Sequence, residues 1–107
     1  MNPAYIYLPP EIRDSLPLLY TTERQQDPVV WLKFFTPDSS WTWYVLEWDR
    51  DDLFFGLVCG QFIELGYFSL SELSDIRGPM GLHIERDLHF APCPLSKVRK
   101  QIEQGAC

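Results

Sequence analysis

The sequence predicts an α+β fold. It reads as a single two-layer domain with a mostly antiparallel sheet of about five strands, short helices at both chain ends and one helix between the fourth and fifth strands. Two observations carry this. The stretch Trp41-Thr42-Trp43-Tyr44-Val45-Leu46-Glu47-Trp48 sets large apolar residues on both parities of a strand, as a central strand covered on both sides requires. Around it, short β-type runs follow one another through tight turns, the connection that antiparallel neighbours use.

Taken in order, Leu8 to Leu16 holds Pro9, Pro10 and Glu11 and reads as a short helix. Proline suits a first helical turn, and an acid there complements the positive end of the helix. Pro17 stops it. Leu18 to Gln26 is a connection. Val29 to Phe35 is β-branched and aromatic, a strand. Thr36-Pro37-Asp38-Ser39-Ser40 has turn chemistry and leads into the Trp41 strand as a hairpin. Asp49 to Asp52 is the next turn. Leu53 to Cys59 and Gln61 to Phe68 are the third and fourth strands. Ser69-Leu70-Ser71-Glu72 has the spacing of a capping box, with Ser69 as N-cap of a helix over Leu70 to Ile76. Gly78-Pro79 ends it. Leu82 to Phe90 is the fifth strand, and Pro92-Cys93-Pro94 breaks it. A last helix places Leu95, Val98 and Ile102 on one face, with Gly105 as its stop.

The whole chain, 1–107, is expected to form one domain. A hydrophobic content of 46% excludes a disordered chain. No apolar run approaches the roughly 18 residues of a membrane span, and nothing at the N-terminus resembles a signal peptide. Cys59, Cys93 and Cys107 show no CxxC spacing, which predicts a reducing, cytoplasmic setting with Cys59 as a buried structural thiol. The net charge is -6. Lys97, Arg99 and Lys100 lie near the C-terminus, so the body before them is more acidic still. Duplex nucleic acid is therefore not the expected partner; a protein is.

The runs Lys33 to Tyr44, Phe54 to Gly60, Glu64 to Leu73 and Ile84 to Phe90 resemble a family of small bacterial proteins known as domain of unknown function 2958. The resemblance runs from about Pro10 to Val98. It implies a small cytoplasmic protein, often carried beside plasmid or integrated-element genes. It supplies no activity and no catalytic residue. Where that pattern has a proline after Gly-Leu, this chain has His83.

No Walker loop, GxSxG, HExxH or dinucleotide fingerprint occurs, and no metal or cofactor is called for. Three sets of residues are candidates for a role. In a regular fifth strand His83, Glu85, Asp87 and His89 share one face. Glu85, Asp87 and His89 are then the candidates for acid–base or metal-dependent chemistry, although the two histidines would lie about 20 Å apart and could not share an ion. Arg86 interrupts the apolar parity of the same strand; a buried arginine needs a carboxylate, and Glu47 and Glu64 are its candidate structural partners. Trp48 and Phe54, flanking the acidic turn Asp49, Asp51 and Asp52, are the candidate partner-binding surface. The leading expectation is a non-enzymatic protein-interaction module. The alternatives are a small acid–base or metal enzyme and an acidic inhibitor that imitates nucleic acid.

Overall fold

A computed structural model describes residues 7–105. Its elements in chain order are α1 (Pro10–Arg13), β1 (Val29–Val30), β2 (Leu32–Phe35), β3 (Thr42–Trp48), β4 (Leu53–Cys59), β5 (Ile63–Ser69), α2 (Leu70–Asp75), β6 (Glu85–Arg86), β7 (Cys93–Pro94) and α3 (Leu95–Glu103). One antiparallel sheet has the order β5-β4-β3-β2-β6, and β1 pairs with β7 in a small annex. The α+β antiparallel expectation holds. β3 is the middle strand and every residue in it is buried.

The two parities of β3 feed two separate cores. Trp43 and Val45 join Phe34, Phe54, Phe68, Leu70 and Leu73 on one face, while Tyr44 and Leu46 join Val30, Leu57, Leu95 and Val98 on the other. Because α2 belongs to the first cluster and α3 to the second, the helices divide between the faces rather than sharing one, which corrects the two-layer arrangement. A sheet with helices on both sides is what buries a strand twice.

A β-bulge changes the phase of β3. Val45 pairs with Gly56 and Glu47 with Phe55, leaving Leu46 as the extra residue. Beyond the bulge the side chains exchange faces. Trp48 therefore joins the Trp43 core, and Glu47 joins the Tyr44 side, the reverse of strict alternation. Gly56 has a steric reason: a Cβ there would lie 1.8 Å from the Tyr44 carbonyl oxygen.

Two expected strands are shorter than the sequence suggested. Val29 to Phe35 breaks at Trp31, where the chain leaves β7 and joins β3 and β6. Leu82 to Phe90 contributes only Glu85 and Arg86 to the sheet, with an isolated bridge between Arg77 and His83. The helix ends read well. The Ser69 hydroxyl accepts from the Glu72 N–H at 3.0 Å, and Gly105 has φ +87°, the left-handed stop that glycine favours.

Cys59 is buried, and its sulfur is engaged in a disulfide, which corrects the expectation of a free structural thiol.

A candidate interaction edge

The acidic turn is architecture rather than a recognition surface. The Asp49 carboxylate accepts from the backbone N–H groups of Asp51, Asp52 and Leu53. The Asp52 carboxylate accepts from the N–H and hydroxyl of Ser71 at 2.8 and 2.6 Å, and so caps α2 from outside the helix. Asp51 is exposed. Trp48 and Phe54 are core residues, 7% and 0% exposed. The Arg50 guanidinium lies 5.6 Å from the Trp48 ring centre and closes that end of the core. The two aromatics thus cannot anchor a partner. The bulge carries Trp48 to the Trp43 side of the sheet, where Phe54, its cross-strand partner, is also buried.

The Arg86 pairing is corrected as well. β6 and β5 are opposite edges of the sheet, separated by four strand spacings or about 19 Å, so Glu64 is out of reach. Glu47 lies on the far face. It is 2% exposed, and its carboxylate accepts from the N–H groups of Tyr20 and Thr22, each at 2.8 Å, and from the Thr22 hydroxyl. Its structural task is to hold the Leu18–Gln26 connection, in which Tyr20 has φ 71°, against the sheet. Sequence inspection missed this because the partners are mainly backbone groups.

The polar row of the expected fifth strand does not form a regular face. Asp87 lies 3.8 Å from the Lys33 ammonium and accepts from the His89 N–H; Glu85 and His89 are exposed. Among the described residues no three His, Cys, Asp or Glu side chains converge as a metal would need. Burial holds the Cys93 thiol above its ordinary value, with Lys97 opposing this, so it is not an activated nucleophile.

What the sheet does present is β5. It is seven residues long, pairs with β4 without a register break, and is an outer strand. Ile63, Leu65 and Tyr67 share the Tyr44 side of the sheet and are 50%, 46% and 52% exposed. Phe62, in the turn before β5, is 72% exposed, and Tyr20, on the loop Glu47 secures, is 61% exposed. The Tyr20 and Tyr67 rings lie 6.5 Å apart, and Tyr67 also meets Phe55 at 5.1 Å. Partial burial and then the hydrogen bond with Tyr20 raise the Tyr67 phenol above its ordinary value, so it remains a neutral donor near neutral pH. Behind the edge, a groove of about 400 Å³ runs between the loop and α3, with Gln25, Gln26, Leu46, Phe55, Leu65 and Arg99 among its walls.

A family model described as a protein of unknown function, DUF2958, matches residues 8–104. The chain belongs to the DUF2958 family. No curated protein and no solved structure matches it. For this DUF2958 member the edge is therefore read from its own geometry. A long apolar edge strand is a template for another strand, and proteins usually guard it with lysine, proline or a bulge. β5 carries none of these, and Glu64 is its one charge. No described helix is long and apolar enough to cross a membrane.

Proposed function

We propose that this protein is a protein-interaction module that receives an extended segment of another chain along β5. The observation that carries the reading is an unguarded seven-residue edge whose alternate side chains are apolar and about half exposed. In strand addition, main-chain hydrogen bonds supply affinity and pockets for alternate side chains supply selectivity. Ile63, Leu65 and Tyr67 would form the apolar stripe, Tyr20 and Phe62 its ends, and the groove toward α3 a pocket beside it. An accessory role beside plasmid or integrated-element genes is part of the proposal.

The test is a photo-crosslinking amino acid placed at Ile63 and, as a control, at Leu88, which is exposed far from β5. A discrete crosslinked species from position 63, absent from position 88 and lost when Tyr67→Lys is added, is the expected result. No product at position 63, or the same products from both positions, would overturn the reading.

A further inference from the structure

Resting on that reading of β5, we infer that the strand it receives is β5 of a second copy of this chain, antiparallel and centred on Leu65. Gly66 points to this. A glycine within a strand loses packing and costs conformational entropy, and it commonly marks the close approach of another backbone. Among the described residues nothing accounts for Gly66: a Cβ built there meets no atom within 4 Å. Its neighbour Gly56, by contrast, is forced by the Tyr44 carbonyl. The missing side chain opens part of a notch of about 200 Å³ shared with Trp41, Val58, Phe62 and Glu64.

Register selects the centre. A two-fold axis normal to the sheet keeps like faces together, so the strands must centre on a residue. Centring on Glu64 sets the two carboxylates opposite each other, which is unfavourable. Centring on Gly66 sets Glu64 against the apolar Phe68. Centring on Leu65 instead places each Glu64 over the partner's open Gly66 position and each Ile63 against the partner's Tyr67, a β-branched–aromatic pair that favours pairing. Large meets small on one face, and apolar meets apolar on the other.

The available area fits a small interface. With about 200 Å² per aromatic side chain, the exposures of Phe62, Tyr67 and Tyr20 leave roughly 370 Å² open. Ile63 and Leu65 bring this to about 500 Å² per copy, or at most about 1,000 Å² for two, the lower bound for a specific interface. The dimer is accordingly concentration-dependent.

Sedimentation over about a hundredfold range of protein concentration should show a monomer–dimer equilibrium. Leu65→Lys, which sets two ammonium groups opposite each other, should weaken it about a hundredfold. Gly66→Val should keep the fold, since its methyls enter open space, and also weaken the dimer. In a Cys93→Ser background, oxidised Leu65→Cys should give a crosslinked dimer, because opposed residues lie within disulfide range. Ile63→Cys alone should not, whereas Ile63→Cys with Tyr67→Cys should. A dimer indifferent to Leu65→Lys, or trapped equally by Ile63→Cys, overturns the inference. A monomer at every concentration that still crosslinks another protein from position 63 overturns the second copy but leaves strand addition standing. A monomer that crosslinks nothing overturns both.

Discussion

Glu47 offers the sharpest check on the fold. Its carboxylate is almost fully buried, yet it accepts from two backbone N–H groups and one hydroxyl. Hydrogen bonds to a charged acceptor are worth about 1.5–3 kcal/mol each, and a buried N–H left without a partner costs about 1–3 kcal/mol. Glu47→Ala orphans the Tyr20 and Thr22 N–H groups and opens a void beside Phe55. Burying the charge has its own cost, which the substitution relieves, so these losses do not simply add. A net loss of about 3–5 kcal/mol is expected, a large part of the total stability of a domain this size. Glu47→Gln keeps one acceptor oxygen but turns an amide toward donors; about 1–2 kcal/mol is expected. Urea unfolding followed by tryptophan fluorescence measures both. Because the carboxylate secures the loop, Glu47→Gln should also raise amide exchange at Tyr20 and Thr22 before it does so in β3. Glu47→Ala within about 0.5 kcal/mol of the parent, or exchange at Tyr20 and Thr22 unchanged in Glu47→Gln, would refute the role assigned to this residue.

Two further substitutions test local geometry. Gly56→Ala drives a methyl into the Tyr44 carbonyl at 1.8 Å in the central ladder, so a loss above about 3 kcal/mol or failure to fold is expected; an ordinary melting curve would show that the bulge region yields easily. Asp27 caps α3 by accepting from the Ser96 N–H at 2.8 Å and the Ser96 hydroxyl at 2.7 Å, and these bonds hold its carboxyl below the ordinary 3.8. A depressed folded-state value means that the stabilisation is fully present above 3.8 and fades as pH falls through the folded-state value. The melting-temperature gap between the parent and Asp27→Asn should thus be open near neutral pH and close in strong acid; a gap constant with pH would count against it.

Much of the scaffold was legible because its signals are local. Four aromatics on two parities place β3 in the centre, Ser69 and Glu72 mark a helix start, and Leu95, Val98 and Ile102 mark an amphipathic face. The misreadings have local causes too. Period-two reasoning assumes an unbroken ladder, and one extra residue at Leu46 moved Glu47 and Trp48 to the wrong sides. The run from Leu82 to Phe90 alternates like a strand, but β2 offers only four residues at that edge, and two of them pair with it. The acids at 49 and 52 looked like surface charge because a capping role toward Ser71, 19 positions away from Asp52, leaves no nearby trace. The candidate edge was the hardest to see. Ile63, Leu65 and Tyr67 look like core residues until the sheet order shows that, among the described residues, no strand lies beyond them.

The extra residue in β3 also reaches beyond this molecule. It makes the tryptophan strand a segment read in two frames, with one parity before Leu46 and the opposite parity after it. A sister chain lacking that residue could keep the same letters downstream, because the Val45–Gly56 and Glu47–Phe55 pairs would then follow one another in an unbroken ladder. Its glutamate would still face the Tyr20 loop and its last tryptophan the opposite core, and only the Leu46 side chain and the local bend would be lost. A one-letter gap at this position should therefore leave the character of the letters on either side unchanged, whereas a gap elsewhere in the strand should not, a difference visible in the bare sequence.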